Sequence, residues 1–138
     1  MRIKELYSYA HSDVAITERL AGVLPSSGLS LIRSTGRDKV CYVIMTNIKG
    51  DCGHYIVLIE CLKYFELFDP LGLYCLKDSY VRTFIFFNPC VLNRVPCQNK
   101  GSVCCGWFCL FYLMFRCNNM DRYCSLRYAL SLTHPPLI

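Results

Sequence analysis

A run of about thirteen residues without a charged side chain, residues 103–115, constrains the fold more than any other feature of the sequence. It is hydrophobic all round, which is typical of a helix in the centre of a protein core. A polar loop, residues 98–102, leads directly into this run. The run is too short to cross a bilayer, which takes about 20 apolar residues. We therefore expect a buried central helix and no association with a membrane.

The composition is that of one globular domain over residues 1–138. Hydrophobic residues make up 54% of the chain and charged residues 18%, so a large core is available and disorder is not expected. The formal net charge of +5 permits weak, non-specific attraction to nucleic acid. It does not indicate a dedicated nucleic-acid reader, because a solvated surface with a few additional Lys and Arg residues explains it equally well.

Cysteine is unusually frequent, with 11 in the chain. The first residues are polar and show no signal-peptide pattern, so we expect a protein that is not secreted and whose thiols are reduced. No two cysteines have the C-x-x-C spacing that is typical of structural zinc sites. We expect no metal, and we expect most of the cysteines to act as small buried hydrophobic side chains.

Apolar periodicity and turn residues predict an α+β protein, with helices around an antiparallel or mixed sheet. Segments rich in β-branched and aromatic residues predict strands over residues 40–48, 54–61, 64–69 and 91–95. In addition to the central helix, helices are predicted over residues 13–21, 76–87 and 121–132. Turns are expected at residues 25–28 and 49–53.

Cys105 lies where the polar loop meets the apolar helix. Unpaired backbone N–H groups and the positive end of the helix dipole stabilise a thiolate at such a position. Because the thiolate is the nucleophile in cysteine catalysis, Cys105 is a candidate nucleophile. The alternative is that Cys104, Cys105 and Cys109 are only buried packing residues.

Two further polar residues are predicted to lie at one end of the sheet. His54 begins one predicted strand, and Asp69 ends the next one. If these strands pair as a hairpin, the imidazole and the carboxylate come within hydrogen-bonding distance. The carboxylate then fixes the orientation and tautomer of the imidazole, as in a catalytic triad. The alternatives are a structural histidine and an aspartate that only begins the Asp-Pro turn.

The candidate residues lie in three segments, GHYIVLIE, YFELFDPLG and QNKGSVCCGWFC. The order of His54, Asp69, Gln98 and Cys105 resembles the adenovirus endopeptidase (adenain) family, in which a histidine, an acidic residue, a glutamine and a Cys-Gly pair follow one another. Gln98 precedes Cys105 by seven positions, as in that family. The resemblance covers residues 40–108, about half of the chain.

The resemblance implies an adenain-like fold, which is related to the papain-like cysteine proteases and to the proteases that mature ubiquitin-like modifiers. It implies a cysteine peptidase in which Cys105 attacks, His54 is the base and Asp69 orients the histidine. The side chain of Gln98 and the backbone N–H of Cys105 then donate to the oxyanion. Cys105 rather than Cys104 matches the Cys-Gly pair of the family.

The resemblance also implies a biological setting. Adenovirus endopeptidases cleave virion precursor proteins near small residues, often glycine pairs, and DNA is their cofactor. No cofactor is required for the chemistry itself, but DNA or a peptide is an expected activator. The chain is then a viral protein of the virion and of the nucleus or cytoplasm of the infected cell, with protein substrates and non-specific DNA as partners. The cysteine with which adenovirus enzymes bind their activating peptide has no identified counterpart here.

Two alternatives remain open. Asp69 replaces the glutamate of adenovirus enzymes and is the acidic residue of modifier proteases, so the first alternative is a hydrolase of ubiquitin-like modifiers, such as a deubiquitinase or a SUMO protease. The second is a non-enzymatic, cysteine-rich interaction protein whose cysteines pack or bind zinc. Tyr55 stands where the family has tryptophan. Both Tyr55 and Trp107 are expected either to line a substrate cleft or to pack in the core.

Overall fold

Five strands form one mixed sheet with helices on both of its faces. The computed structural model describes residues 2–46, 54–97 and 105–133. In chain order the elements are α1 (Ile3–His11), α2 (Val14–Arg19), β1 (Leu20–Pro25), a 3-10 helix (Ser26–Leu31), β2 (Val40–Met45), β3 (Tyr55–Glu60), β4 (Phe65–Phe68), a second 3-10 helix (Tyr74–Lys77), α3 (Ser79–Phe87), β5 (Cys90–Leu92), α4 (Cys105–Cys117) and α5 (Arg122–Thr133). The predicted α+β class is confirmed.

The three central strands, β2, β3 and β4, form an antiparallel meander. Val57 of β3 pairs with Val43 of β2 on one side and with Phe68 of β4 on the other. Their β-branched and aromatic residues favour a pleated, buried strand. The strands predicted at these positions are confirmed, with slightly narrower bounds. The turn that was predicted at residues 49–53 lies outside the described residues.

The two edge strands pair in parallel with their neighbours, β1 with β2 and β5 with β4. A strand predicted over residues 91–95 is present as the short β5, but it spans Cys90–Leu92 and does not include residues 93–95. β1 was not predicted, because Gly22 was expected to end a helix that in fact ends at Arg19. Residues 25–28, expected as a turn, supply the end of β1 and the start of a 3-10 helix. Pairing with β2 therefore outweighs the weak strand propensity of this segment.

Strand β3 lies at the centre of the molecule, and all its residues are buried. Its alternate side chains Tyr55, Val57 and Ile59 belong to the core that α1, α2, α4 and α5 cover. Ile56 and Leu58 belong to a second core, under the 3-10 helices and α3. This alternation follows from the two-residue period of a strand. The sheet is therefore packed between two layers, and α4 belongs to the first of them.

Helix α4 packs on β3 with most of its side chains buried, as its apolar sequence predicts. Trp107, Phe111 and Met114 are nevertheless partly exposed. Their spacing places them on one stripe of the helix. The expectation of a fully buried helix is therefore wrong for this stripe, which the surrounding helices leave uncovered. Within the described part of the chain, no helix has the length and apolar character that crossing a bilayer requires.

The N-terminal helix α1 was not predicted. It buries Leu6 and Ala10 against the first core, whereas Tyr7 and Tyr9 are about half exposed. Its apolar residues Ile3, Leu6 and Ala10 do recur at helical spacing, but over only nine residues, which is short for recognising this period in a sequence. The helix therefore depends on its packing against the rest of the molecule.

The predicted helices over residues 76–87 and 121–132 are confirmed as the second 3-10 helix with α3, and as α5. Asp78 caps the start of α3, since its carboxylate accepts hydrogen bonds from the backbone N–H groups of Tyr80 and Val81 at 2.8 and 3.1 Å. This arrangement satisfies the N–H groups that a helix start leaves unpaired. Ser26 donates to the same carboxylate at 2.7 Å, which ties the first 3-10 helix to α3.

A buried ion pair connects α4 with the sheet. Glu66 lies between Phe65 and Leu67 in β4, and its side chain therefore faces α4 rather than the second core. Arg116 donates to both carboxylate oxygens, from Nε at 3.0 Å and from Nη2 at 2.9 Å. The hydroxyl of Tyr112 donates a further hydrogen bond to Glu66. Because a bidentate pair has one favoured geometry, these bonds fix the rotation of α4 about its axis.

Candidate active site

His54 and Asp69 meet at one end of the sheet. His54 directly precedes β3, and Asp69 directly follows β4. Antiparallel pairing of these strands brings the two residues to the same end of the sheet. The Nε2 atom of His54 lies 2.8 Å from the Oδ1 atom of Asp69, and both side chains are buried. The contact expected from hairpin pairing is therefore present.

Backbone N–H groups hold the carboxylate of Asp69 in place. The N–H of Leu71 donates to Oδ1 at 2.8 Å, and the N–H of Cys75 donates to Oδ2 at 2.6 Å. Both oxygens have partners within the loop that follows β4, so the direction in which Asp69 presents Oδ1 to His54 is fixed.

Asn93 holds the backbone of Asp69 and was not found by sequence reasoning. Its Nδ2 atom donates to the carbonyl oxygen of Asp69 at 2.7 Å, and its Oδ1 atom accepts from the N–H of Asp69 at 2.8 Å. Asn93 comes just after β5, which pairs with β4. The sequence offers no signal for this role, because an asparagine after a strand is ordinarily a turn residue.

Cys105 is the first residue of α4 and is 9% exposed. Packing of α4 on β3 brings its side chain to His54, with which it is hydrogen-bonded. Lower in the same helix, the Sγ atom of Cys109 donates to the backbone carbonyl of Tyr55 at 3.3 Å and so fixes the helix against the start of β3. The structure thus brings together the three residues that were predicted to form the triad.

The electrostatics at Cys105 favour the thiolate. Burial alone would raise the pKa of this thiol, but the hydrogen bond with His54 lowers it. Backbone hydrogen bonds at Tyr55 and Gly106 and the charge of His54 lower it further, so the net shift of the pKa is downward. Unpaired N–H groups at the start of a helix commonly act in this way.

The imidazole of His54 is correspondingly held as a cation. Burial lowers its pKa, but hydrogen bonds to Asp69 and Cys105 and the charges of both raise it, to about 9. A lowered thiol pKa beside a raised imidazole pKa favours a thiolate–imidazolium pair. Since Nε2 is bonded to Asp69, Nδ1 is the ring nitrogen available to the sulfur.

Tyr74 covers one side of the imidazole and was also missed by sequence reasoning. Its ring meets that of His54 edge-on, with centroids 5.4 Å apart and an interplanar angle of 89°. The Nζ atom of Lys77 lies 4.5 Å from the centre of the Tyr74 ring. The edge-on contact between Tyr74 and His54 shields the imidazole and limits its rotation. Tyr74 follows the Asp-Pro turn, and its contact with His54 depends on the conformation of the loop after β4.

Gln98 and Cys104, which the sequence analysis considered, lie outside the described residues. The predicted oxyanion donor at Gln98 therefore stays a prediction. Tyr55 is 2% exposed and packs in the first core, so it does not line a cleft. Trp107 is 41% exposed and contacts Tyr9, with ring centroids 4.7 Å apart. Of the two aromatic residues, Trp107 alone is accessible near the start of α4.

A cavity of about 620 Å³ lies between the first 3-10 helix and α3. Its apolar lining includes Leu29, Ile32 and Phe84, which belong to the second core. His54 and Cys105 do not line it, so it is separate from the candidate triad. Among the described residues, no group of three or more His, Cys, Asp or Glu side chains is arranged to hold a metal ion.

Gly72 makes the turn that carries Asp69, and its replacement by alanine is expected to destabilise the fold. Its φ is +75°, and an added Cβ would lie 2.8 Å from the backbone oxygen of Arg94. The left-handed conformation alone costs a residue with a Cβ about 1–2 kcal/mol. Because backbone atoms cannot yield cheaply, the loss in free energy of unfolding, measured by urea denaturation, is expected to exceed that range.

Gly36 provides the matched control, since its φ is +77° and nothing lies within 4 Å of an added Cβ. Gly36→Ala is expected to lose only the conformational part, about 1–2 kcal/mol. Equal losses for Gly36→Ala and Gly72→Ala would contradict the close contact with Arg94.

No protein-family model matches the chain, and a search of curated proteins finds no match to it. Its function is therefore inferred from the site and from the order of the residues that form it.

Proposed function

We propose that the chain is a cysteine endopeptidase, with Cys105 as nucleophile, His54 as general base and acid, and Asp69 as the residue that orients the imidazole. The observation that carries the proposal is one buried imidazole hydrogen-bonded both to a carboxylate and to a thiol whose pKa is lowered. Burial alone does not produce this combination, because it raises the pKa of a thiol. The buried thiols of Cys75, Cys97 and Cys109 do have raised pKa values.

The reaction is acyl transfer. The thiolate of Cys105 attacks the carbonyl carbon of the scissile bond, and His54 gives its proton to the departing amine. The acyl group stays on sulfur as a thioester, which a water molecule activated by His54 then hydrolyses. The backbone N–H of Cys105 and the side chain of Gln98 are the proposed oxyanion donors. One such donor commonly accounts for about 10²–10³ in rate.

The adenovirus endopeptidases supply the best account of the substrate. Their order of His, acid, Gln and Cys-Gly is the order of His54, Asp69, Gln98 and Cys105. We therefore propose the adenain-like fold, virion precursor proteins cleaved at Gly-rich sites as substrates, and an infected cell and its virions as the setting. The formal charge of +5 is compatible with activation by non-specific DNA.

A hydrolase of ubiquitin-like modifiers is the second candidate function. The observation in its favour is Asp69, because those proteases use aspartate where adenovirus enzymes use glutamate. The shorter carboxylate of Asp69 reaches the imidazole at 2.8 Å. Both candidates use the same chemistry and differ only in the protein that carries the scissile bond.

Limited alkylation at about pH 6 tests the thiolate on which either function depends. Iodoacetamide is expected to label Cys105 on the order of 10-fold faster than the buried cysteines whose pKa values are raised, Cys75, Cys97 and Cys109, since a thiolate is the reactive form. Peptide mapping by mass spectrometry gives the rate at each position. The His54→Ala variant is expected to lose this preference, because its Cys105 lacks the group that lowers the pKa.

Cys124 serves as the internal control. It is more accessible than Cys105, but its pKa is raised by a hydrogen bond with Asp121. Faster labelling of Cys105 therefore reports the pKa rather than exposure. Uniform labelling of several cysteines would count against the triad. Stoichiometric zinc without a hyper-reactive thiol would favour the non-enzymatic alternative.

A further inference from the structure

Two cysteines are in contact at the other end of α4, away from the candidate active site. The Sγ atoms of Cys41 and Cys117 lie 3.8 Å apart. Cys41 belongs to β2, and Cys117 is the last residue of α4. Both are buried. Formation of a disulfide requires the two sulfurs to approach to about 2.05 Å, a movement of less than 2 Å.

The two sulfurs also differ in proton affinity. The pKa of Cys117 is lowered, chiefly by the hydrogen bond from Cys41 and against the effect of burial. The nearby charges of Arg19 and Lys39 lower it further, whereas that of Asp13 raises it. The pKa of Cys41 is raised. The contact with Cys41 therefore makes Cys117 the more easily deprotonated sulfur of the pair.

We propose that Cys41 and Cys117 form a reversible disulfide when the protein meets a peroxide. Packing alone explains the burial of these side chains, but it does not require that two thiols from distant parts of the chain touch. A metal explains the pair less well, because the described residues offer no third ligand at this place. A peroxide is the appropriate oxidant, since it is small enough to reach thiols that are almost fully covered.

The oxidation proceeds in two balanced steps. First, the sulfur of Cys117 attacks one oxygen of hydrogen peroxide and the O–O bond breaks. Hydroxide is the leaving group, and Cys117 becomes a sulfenic acid. Second, Cys41 gives up its proton and its sulfur attacks the sulfur of Cys117. The S–S bond forms, the S–O bond breaks, and water departs. Two thiols and one peroxide thus yield one disulfide and two waters, and a thiol such as glutathione reverses the change.

The bond ties together the elements that carry the candidate active site. Helix α4 begins with Cys105, and β2 pairs with β3, the strand that follows His54. A bridge between β2 and the last residue of α4 therefore holds the helix against the sheet. Because it encloses the chain from Cys41 to Cys117, it also restricts the unfolded state strongly. The inference involves neither His54 nor Cys105 and is independent of the proposed function.

Peptide mapping of the full chain tests the proposal. The protein is reduced, freed of reductant, treated with hydrogen peroxide at about one equivalent, and then denatured with N-ethylmaleimide to block the remaining thiols. We expect a cross-linked peptide that joins Cys41 to Cys117 and that disappears after incubation with glutathione. In the Cys105→Ala background, oxidation is expected to raise the melting temperature by on the order of 10 °C.

Cys41→Ser and Cys117→Ser are both expected to lose the oxidation-dependent rise in melting temperature. Cys90→Ser is the control, since it changes a partly buried cysteine in β5 and is expected to keep that rise. Recovery of Cys41 and Cys117 as maleimide adducts after the peroxide has been consumed would overturn the proposal. So would a cross-link from either of them to a different cysteine. The mapping of the unsubstituted chain is decisive even if a serine variant folds poorly.

Discussion

Replacement of Cys105 by alanine is expected to abolish peptide cleavage, with a loss in kcat/KM of about 10⁴–10⁶-fold. The sulfur of Cys105 forms the bond to the acyl group, so the variant lacks the proposed nucleophile. Cleavage is measured with a fluorogenic Leu-x-Gly-Gly peptide and, in parallel, with a reporter fused to a ubiquitin-like modifier. Preference for the fused reporter would favour the modifier hydrolase over the virion protease.

Cys104→Ala is the matched control, because it removes a thiol from the adjacent position. It is expected to retain substantial activity. The melting temperatures of both variants should stay close to that of the unsubstituted protein, which separates chemistry from folding. An active Cys105→Ala variant and an inactive Cys104→Ala variant would shift the nucleophile by one position and contradict the triad described here.

Replacement of Arg116 by methionine is expected to lower the free energy of unfolding by about 3–5 kcal/mol. The side chain of Glu66 is buried, and Arg116 supplies two of its hydrogen bonds. Without Arg116, a buried carboxylate keeps only the hydroxyl of Tyr112 as a described side-chain partner. The cost is therefore mainly that of an uncompensated buried charge. Urea denaturation followed by circular dichroism gives the value.

The double variant Glu66→Leu with Arg116→Met separates this cost from the loss of packing. It is expected to recover most of the stability, since it removes both charges and replaces them by apolar side chains. Arg37→Met is the control for loss of a cation, because Arg37 is exposed, and is expected to change stability by less than about 0.5 kcal/mol. A small effect of Arg116→Met would contradict the stabilising role of the ion pair between Arg116 and Glu66.

The sequence predicts the central part of the fold well, and physical reasons explain the rest. Strands β2, β3 and β4 have strong β-branched and aromatic patterns, and α4 is apolar except for Arg116, so local preference and burial agree in these elements. Strand β1 lacks such agreement, and the apolar pattern of α1 extends over only nine residues. Gly22 and Pro25 weaken β1 as an isolated segment, and only its parallel pairing with β2 explains why it is extended.

The residues of the candidate site also fall into two groups, those that could be predicted from the sequence and those that could not. His54, Asp69 and Cys105 could be predicted because each stands at the end of an element whose type the sequence indicates. Asn93 and Tyr74 could not be predicted, since their contacts with Asp69 and His54 depend on the conformations of loops. The same holds for the pairing of Cys41 with Cys117, which joins residues that only the packing of α4 on the sheet brings together.

The chain contains a single tryptophan, and the fold places it in the first turn of α4, the helix that begins with Cys105. Trp107 follows Cys105 by two positions, is 41% exposed and rests against Tyr9 of α1. The emission of an indole depends on the polarity of its surroundings, and in this protein all of that emission arises from one place. The unlabelled protein therefore carries its own optical reporter, and arrival of a ligand at the start of α4 can be followed without an added dye.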